Sequence, residues 1–148
     1  MEQQCEQLFL NKGYVSYNYS EIKKHPEKIK GHRYILLKNV PYITIYGSVG
    51  HTEFVAWDTK TGRKVRIECK YQKSAGSVDE KLPYLYLNAV FRYPEKEVII
   101  LIEGNGFKKG AKEWLKEQVN KNWLNFRRHK KITVANYEEF KNIIAIEF

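Results

Sequence analysis

Residues 53–72 read EFVAWDTKTGRKVRIECKYQ, and their pattern decides much of the fold. An apolar run at 54–57 is followed by a turn at 58–62, and then by a segment from 64 to 72 in which apolar and polar residues alternate. This order predicts two antiparallel strands joined by a tight turn. Because successive side chains of a strand point to opposite faces, the polar residues of the second strand should share one face. The residues on that face are Arg66, Glu68, Lys70 and Gln72.

The turn also predicts which residues of the two strands face each other. If Asp58 pairs with Arg63, then Glu53 lies opposite Glu68. Two carboxylates in such a pair, with Cβ atoms about 4.5–5.5 Å apart, repel each other unless a positive group lies between them. Asp58 lies at the tip of the hairpin, roughly 17 Å along the strand from the level of Glu68. The acid that is nearer in sequence is therefore the wrong partner by geometry.

A divalent cation between Glu53 and Glu68 would relieve this repulsion. Hard cations such as Mg²⁺ bind protein carboxylates together with water and substrate phosphate oxygens. Such a metal can polarise a phosphate and lower the pKa of an attacking water, while Lys70 could orient that water, help to deprotonate it or balance charge. The alternative is that Glu68 and Lys70 lie on the solvated face of an ordinary amphipathic strand, because Glu-x-Lys triplets are abundant.

The composition favours a polyanionic partner. The 148 residues suit one domain, 1–148, and they include 26 Lys and Arg against 17 Asp and Glu, for a net charge of +9. Such a surplus favours nucleic acid, although an acidic membrane surface would also attract it. The sequence contains neither an apolar stretch of about 20 residues nor an N-terminal signal pattern. We therefore expect a soluble, cytoplasmic protein that does not enter a membrane.

The cysteines and histidines predict neither a disulfide framework nor a zinc site. Cys5 and Cys69 are too few for a framework, and no paired Cys or Cys/His spacing is present. The four histidines are scattered among polar and basic residues, which favours solvated side chains. His51 is set apart from the other three because it lies two residues before Glu53.

Outside the hairpin, helical and extended patterns alternate along the chain. Helices before, between and after strands indicate an α/β domain with a mixed central sheet flanked by helices. A capping-box pattern at Ser77 and Glu80 marks the start of one helix. The predicted elements are a helix at 2–11, strands at 14–17 and 42–46, an irregular or short helical segment at 18–30, a helix from 77 to about 93, a strand at 98–102, a helix at 111–123, a strand at 131–135 and a helix near 136–144.

Two glycine-containing loops could lie near phosphate groups. The loop at 73–77 ends where a helix begins, and free amides there attract phosphate, although an ordinary connection explains the loop equally well. The segment 104–110 follows an apolar strand, but its third glycine is one position late for a dinucleotide fingerprint. We therefore interpret it as a turn whose lysines lie near DNA phosphates. These lysines are Lys108, Lys109 and Lys112.

Two further basic clusters are open to two interpretations. They can be part of a solvated surface, or they can contact nucleic acid together with neighbouring aromatic rings. The basic residues are Lys23, Lys24, Lys28, Lys30 and Arg33 in one cluster and Arg127, Arg128, Lys130 and Lys131 in the other, and the aromatic residues are Tyr34, Trp123 and Phe126.

The segment from Glu53 to Trp57, followed by the turn and by Ile67-Glu-Cys-Lys-Tyr-Gln72, resembles the core of the PD-(D/E)xK nuclease superfamily. In that superfamily an acid opens the second core strand and an acid-x-Lys triplet lies on the third. The run GSVDEKLPYL at 76–85 is similar to a group of small phage and bacterial nuclease-like proteins of the same superfamily. The resemblance covers residues 40 to about 120 and implies a restriction-endonuclease-like fold.

The resemblance also implies roles for individual residues. Glu53 and Glu68 match the two acids of the motif, Lys70 matches its lysine, and Gln72 matches a polar residue often found two positions later. By analogy, Glu53, Glu68 and the backbone carbonyl of Cys69 would hold the metal. The side chain of Cys69 is expected to point to the opposite face of the strand.

Two positions extend this match or depart from it. Relatives tend to place a glutamate on the first helix, for which we choose Glu6, with Glu2 as the alternative. The Pro-Asp of the motif is Thr52-Glu53 here, so the first acid is one methylene longer. His51, just before this pair, could contact substrate or metal, but a surface position fits its polar surroundings better.

The resemblance implies a metal-dependent enzyme that cleaves DNA. We expect an endodeoxyribonuclease that uses Mg²⁺, with Mn²⁺ as a substitute. A double-strand cut would need two active sites, which favours a homodimer, although no segment of the sequence marks an interface. Two alternatives stay open, which are a non-catalytic nucleic-acid-binding module with the same fold, and a structural or interaction protein whose charge serves solubility.

Overall fold

The computed structural model of the chain describes residues 1–148, apart from the side chains of residues 77 and 78. In this described part of the chain, six strands form one mixed sheet and five α-helices cover it. The strands are β1 Val15–Asn18, β2 Tyr34–Ile43, β3 Val49–Asp58, β4 Lys64–Tyr71, β5 Glu97–Glu103 and β6 Lys131–Ala135. The helices are α1 Glu2–Asn11, α2 Tyr19–Lys24, α3 Lys81–Phe91, α4 Lys109–Asn120 and α5 Tyr137–Glu147. Short 3-10 turns lie at Pro26–Ile29, Ser77–Glu80 and Phe126–Arg128.

The strands lie in the sheet in the order in which they follow each other along the chain. β1 is parallel to β2, while β2, β3 and β4 are antiparallel neighbours. β4, β5 and β6 are parallel, so helices α3 and α4 provide the crossover connections between them. This mixed sheet with helices on its faces is the α/β fold that the sequence predicts.

Strand β5 is the centre of the core because helices cover both of its faces. Ile99 and Leu101 pack on one side, where α1 and α5 contribute buried side chains. Val98, Ile100 and Ile102 pack on the other side, against α3 and α4. This double burial explains why the strand is an uninterrupted apolar run. A smaller third cluster lies between α2 and the β2–β3 part of the sheet.

The strand predicted at 42–46 is wrong in its bounds, because β2 runs from Tyr34 to Ile43. The residues after Ile43 form the connection to β3, in which the Thr44 amide donates to the Ser48 carbonyl at 2.8 Å. Pro41 is tolerated inside β2 because β1 pairs only with residues 35–38, so Pro41 lacks a neighbour on that side. The β-branched and aromatic residues at 42–46 therefore continue past the strand end into the turn.

The helix predicted from residue 77 begins later. Residues 77–80 form a 3-10 turn, and α3 starts at Lys81. The predicted capping box depends on the side chain of Ser77, which lies outside the described side chains. Instead, a capping box occurs at α5, where the Asn136 side chain accepts from the Glu139 amide at 2.8 Å and the Glu139 side chain accepts from the Asn136 amide at 3.1 Å.

Other elements agree closely with the sequence-based predictions. The first helix at 2–11 and the strand at 131–135 have the predicted bounds. Helix α4 is shifted by about half a turn towards the N-terminus and ends at Asn120. Among the helices that the structure describes, none has the length and hydrophobicity that crossing a bilayer requires.

Candidate active site

The predicted hairpin register is confirmed from the turn as far as Phe54 and Ile67, the residues next to Glu53 and Glu68. β3 and β4 pair from Trp57 opposite Lys64 to Phe54 opposite Ile67, and the ladder ends there. Glu53 and Glu68 are the next residue on each strand. Instead of continuing the ladder, the Glu53 carboxylate accepts a hydrogen bond from the amide of Cys69, with 2.8 Å between Oε2 and N. The two strands therefore separate at this point, and a side chain takes the place of a backbone acceptor.

On the other side of β3, strand β2 has an irregularity at the same level. Asn39 has a φ of 53°, in the left-handed region that few residues other than glycine adopt. The β2–β3 ladder contains Lys38 opposite Phe54 and Val40 opposite Thr52, but it omits the pair between them. That omitted pair is Asn39 and Glu53, so neither neighbouring strand pairs regularly with Glu53.

This irregularity inverts the side-chain alternation of β3. Phe54 packs in the core cluster under α1, whereas the Thr52 hydroxyl accepts from Arg66 at 3.0 Å on the other face of the sheet. In a regular strand, residues two apart would share a face. Glu53 lies between them, at the residue where the strand changes faces, and this position directs its carboxylate towards the gap between β3 and β4.

Glu68 is almost completely buried, with 4% of the residue exposed. Its Oε1 atom lies 2.5 Å from the Lys70 Nζ atom, and among the described groups no hydrogen-bond donor reaches its Oε2 atom. Burial, together with the charge of Glu53, raises the pKa of Glu68 to about 8, although Lys70 opposes this shift. Since an unsatisfied buried oxygen is costly, it marks a place where a ligand would contribute binding energy.

Lys70 is a hydrogen-bond donor in this arrangement. Burial lowers its pKa, but the charge of Glu68 and the contact between the two side chains outweigh this effect and raise the pKa above its ordinary value. Lys70 therefore carries its proton at neutral pH. In this state it can orient a water or stabilise a negative oxygen, whereas accepting a proton would require it to lose its own first.

Arg66 lies two residues before Glu68 on the same face of β4. It is more buried than Glu68, with 1% of the residue exposed. Its guanidinium pairs with Glu95 and donates to the Thr52 hydroxyl and, at 3.2 Å, to the Val40 carbonyl. Its cationic carbon also lies 5.2 Å from the centre of the Tyr93 ring. Through these contacts, Arg66 connects β4 to Val40 of β2 and to Thr52 of β3, next to the gap that contains the carboxylates.

The sequence pattern places Arg66 on the polar face of β4 but gives no sign that it is buried. Its partner Glu95 lies 29 residues further along the chain, so the ion pair depends on the parallel β4–β5 crossover. The alternative that Glu68 lies on a solvated face of the strand is therefore incorrect, and Arg66 on the same face is buried as well. Tyr42 and Tyr93 complete the surroundings, with ring centres 4.8 Å apart in an edge-to-face arrangement.

A cavity of about 350 Å³ lies on the α1 side of Glu53, and Glu6, Glu2 and His51 also line it. The Glu6 carboxylate accepts from the Ser16 hydroxyl at 2.9 Å and pairs with the Lys38 ammonium at 3.3 Å. Helix α1 thus brings Glu6 to the same cavity as Glu53, where its charge is already balanced by Lys38. Glu2 and His51 lie at this cavity as well.

Gln72 lies at the end of β4 and contacts the neighbouring loop. Its side-chain amide donates to the Ser74 carbonyl at 2.6 Å, and its backbone carbonyl accepts from the Gly106 amide at 2.8 Å. Gly104 has a φ of 103°, and a Cβ atom there would lie 2.2 Å from the Gln72 carbonyl oxygen. Gly104 and Gly106 are therefore required by the close approach of the loop that follows β4.

Several basic residues that the sequence offers for DNA contact are engaged within the protein. Lys112 donates to the Gly104 carbonyl at 2.9 Å. Lys130 is buried and donates to the carbonyls of Tyr93 and Glu95, and burial lowers its pKa. The interpretation of Lys130 as a DNA-contacting surface residue is therefore incorrect, because its ammonium is needed to satisfy backbone carbonyls.

Other members of the basic clusters form exposed ion pairs. Lys28 lies 2.9 Å from a Glu21 oxygen and Arg33 lies 3.1 Å from an Asp58 oxygen. Such pairs at the surface are readily exchanged for contacts with a phosphate. These two residues accordingly remain available to a polyanion.

The residues present fit a hard divalent cation. Within the described side chains, no three His, Cys, Asp or Glu residues form a ready-made ligand group. The donors are instead the unpartnered Glu68 oxygen and the second oxygen of Glu53, to which the Cys69 carbonyl can be added. A cation that takes one or two protein carboxylates and completes its shell with water and phosphate matches this set.

The geometry of two acids and a lysine at a gap between antiparallel strands agrees with a comparison of the sequence with protein families. A profile of the PD-(D/E)XK nuclease superfamily domain matches residues 1–147. The chain belongs to the PD-(D/E)XK nuclease superfamily, and its mixed six-stranded sheet with five helices is consistent with the restriction-endonuclease-like fold. Searches of curated proteins and of solved structures gave no significant match. Membership suggests nuclease activity on a nucleic acid, and nucleases of this superfamily typically use divalent metals.

Proposed function

We propose that this chain is a Mg²⁺-dependent endodeoxyribonuclease that hydrolyses DNA phosphodiester bonds and accepts Mn²⁺ as a substitute. The observation that carries this proposal is the buried, unpartnered Oε2 atom of Glu68 beside Glu53, with Lys70 bound to the other oxygen of Glu68. A purely structural acid at this depth would have both oxygens satisfied. The domain is proposed to comprise residues 1–148.

In this proposal, Glu53, Glu68 and the backbone carbonyl of Cys69 hold the cation. When bound, the cation would polarise the scissile phosphate and lower the pKa of a water molecule. Glu68 must give up its proton to act as a ligand, and its raised pKa means that this occurs near neutral pH. The hydrogen bond between Glu53 and the Cys69 amide keeps one carboxylate oxygen in place and leaves the other for the metal.

Lys70 is proposed to position the attacking water and to stabilise negative charge on the phosphate. Its protonated state suits this role, and its bond to Glu68 holds the ammonium beside the cation site. Glu6 borders the same cavity as Glu53, where it can bind a further water once Lys38 shifts. In this proposal, Gln72 fixes the loop at 72–74 through its bond to the Ser74 carbonyl, next to the segment before α3 that would hold a neighbouring phosphate.

The decisive experiment measures cleavage of plasmid, linear and branched DNA with Mg²⁺ or Mn²⁺. Lys70→Met should lower the rate by about 10²–10³-fold, the usual effect of removing one electrostatic donor from an active site. Lys116→Met serves as the matched control, because Lys116 is an exposed lysine on α4. If the unchanged chain cuts none of these substrates with either metal, the proposal is wrong.

One observation favours a non-catalytic nucleic-acid-binding module instead. Lys70 closes on Glu68 and the Cys69 amide binds Glu53, so each acid already has one partner without a metal. Calorimetry distinguishes the two functions. An absence of divalent-cation binding, combined with salt-sensitive DNA affinity that Glu53→Gln leaves unchanged, would support the module.

Cutting both strands of a duplex would require two copies of this site. We therefore include a homodimer in the proposal, formed at least on DNA. Light scattering with and without a duplex oligonucleotide measures this directly, and a chain that stays monomeric in both states would limit the activity to single-strand cuts.

A further inference from the structure

The turn between β2 and β3 presents an exposed aromatic pair, which we call the tyrosine pair and define as Tyr46 and Tyr84. Tyr46 is 79% exposed at the tip of the turn. Its ring stacks on that of Tyr84 in α3, with ring centres 5.2 Å apart and an angle of 17° between the planes. Because Tyr46 is so exposed, much of its ring is accessible to a planar group of a binding partner.

Hydrogen bonds from both sides hold the tip in a fixed shape. The Tyr46 amide donates to the Thr44 hydroxyl at 3.2 Å, and this hydroxyl also bonds to that of Ser48 at 2.9 Å. The Ile45 amide donates at 2.9 Å to the side-chain oxygen of Asn88, a buried residue of α3. A partner that stacks on Tyr46 would therefore have little loop motion to freeze on binding.

The tyrosine pair lies on the α3 side of the sheet, which is the face of β4 that carries Glu68 and Lys70. Tyr42, four residues before Tyr46, lies on this side as well: its ring packs edge-to-face on Tyr93, and the Arg66 guanidinium carbon lies 5.6 Å from its ring centre. The tyrosine pair therefore lies on the same face of the sheet as the unpartnered oxygen of Glu68.

The charges around the tyrosine pair indicate what it binds. Lys81 is exposed on α3 one turn before Tyr84, and the chain as a whole carries a net charge of +9. An exposed aromatic pair beside a cation suits a nucleobase and its phosphate, because every base has a flat face for stacking.

We propose that the tyrosine pair is a stacking platform for an unpaired nucleobase of the substrate. Bases inside a continuous duplex are already stacked on each other and cannot use it without first being unpaired. The substrate class that follows is DNA with a single-stranded segment next to the cleaved bond, such as a flap, a branch or a free strand. The position of the cleaved bond in this inference rests on the proposed function, whereas the binding of an unpaired base does not.

Binding without cleavage tests the platform directly. Fluorescence anisotropy in EDTA would compare a labelled single strand with the matching duplex, for the unchanged chain and for Tyr46→Ala. We expect the single-strand Kd to rise by about 5- to 100-fold, which is the range for loss of one stacked base, and the duplex Kd to change by less than about twofold. Tyr46→Phe should bind like the unchanged chain, because stacking needs the ring and not the hydroxyl.

Three controls separate stacking from other effects. Phe91→Ala removes another ring that is 52% exposed but lies outside the tyrosine pair, and it should leave both affinities unchanged. The salt dependence of binding should be the same for Tyr46→Ala and the unchanged chain, since no charge is removed. A 2-aminopurine in the single strand should lose fluorescence on binding to the unchanged chain and less so on binding to Tyr46→Ala.

The possible results bear separately on the two proposals. Equal losses of single-strand and duplex affinity in Tyr46→Ala, or the same loss in Phe91→Ala, would overturn the platform. Cleavage that shows no preference for substrates with unpaired segments would overturn its link to the active site and leave the nuclease proposal intact. Stacking-dependent binding by a chain that cuts no DNA would support the platform and reject the nuclease proposal.

Discussion

The β3–β4 hairpin carries acidic side chains at both ends, and their surroundings differ sharply. At the tip, Asp58 receives two bonds of 3.1 Å from Arg33 and two more from backbone amides. The bonds from Arg33 come first among the causes that lower the pKa of Asp58 to about 2. At the open end, Glu68 is buried with one lysine and an opposing acid, and its pKa rises to about 8. The same pair of strands thus holds Asp58, whose two carboxylate oxygens both accept hydrogen bonds, and Glu68, whose Oε2 atom would gain a partner only from a bound ligand.

The difference teaches where this fold satisfies an acid with its own groups and where it keeps an acid available for reactivity. The tip is exposed, and its bonds tie the turn to the start of β2. The open end is enclosed by tyrosines and contains an unsatisfied carboxylate oxygen. Perturbed acids of this second kind are typical of functional sites, whereas lowered pKa values at ion pairs are typical of structural ones.

The largest expected effect comes from the arginines at the two ends. Arg66→Met should destabilise the fold by about 3–5 kcal/mol, because it leaves Glu95 buried without its partner. Arg33→Met at the exposed tip should change the free energy of unfolding very little. Urea denaturation of both variants measures the contrast, and similar losses would show that burial does not distinguish the two ends.

A second contrast concerns pH. Because the pKa of Glu68 is raised in the folded chain, the metal-free protein should lose stability as pH rises from about 4.5 to about 8. Glu68→Gln should remove this loss, and thermal unfolding across this range measures it. Addition of Mg²⁺ should raise Tm of the unchanged chain most at pH 8 and above, where Glu68 no longer has to release a proton. A Tm shift that is independent of pH would contradict this account of Glu68.

A residue in the left-handed region lies at the tip of the hairpin, and another lies in β2 beside its open end; these are Gly62 and Asn39, and they give a third contrast. Asn39→Ala and Gly62→Ala should each cost about 1 kcal/mol, since alanine disfavours a positive φ. Only Asn39→Ala should also weaken divalent-cation binding, because Asn39 lies where β3 changes faces and directs Glu53 into the gap. Calorimetric titration of both variants measures this.

Asn39→Gly is the conservative control, since glycine accepts the same φ without strain. It should keep the affinity for the cation. Equal affinities in Asn39→Ala and Gly62→Ala would show that the irregularity of β2 has no bearing on Glu53.

The smallest effect is expected at the tip under acid conditions. The lowered pKa of Asp58 means that its contribution to stability is present above about pH 4 and disappears as pH falls towards 2. Asp58→Asn should flatten this part of the stability curve and leave the region near pH 8 unchanged. A thermal unfolding series from pH 2 to pH 5 tests this, and an Asp58→Asn curve parallel to that of the unchanged chain would refute it.

A feature could be predicted from the sequence when the residues that determine it lie close together along the chain. The hairpin register follows from a short turn and a period-two pattern, so it correctly paired β3 with β4 up to the level of Glu53. The burial of Arg66 could not be predicted, because Glu95 reaches it only after a parallel crossover. The bounds of β2 were predicted wrongly because Asn39 and Pro41 interrupt the strand pattern in the sequence. In the sheet, the strand continues through both residues, since β1 pairs only with residues 35–38.

The candidate site shows the same division. The motif placed Glu53, Glu68 and Lys70 near one another, but it could not indicate that Glu53 would bind a backbone amide or that Lys70 would close on Glu68. The contact to Glu53 depends on where the ladder between β3 and β4 ends, which is a property of the sheet and not of the motif. The role of Gly104 and Gly106 could not be predicted either. A side chain at either position would clash with the loop after β4, which is distant in sequence.

The bond from the Cys69 amide to Glu53 has a consequence for which substitutions this chain would tolerate. With one oxygen bridging the gap between two strands, the side chain of Glu53 replaces a missing rung of the sheet. The additional methylene relative to the aspartate of the superfamily motif provides the reach for this bridge. Restoring the more common aspartate would therefore remove the rung, so the most conservative-looking change in the motif would be among the least neutral.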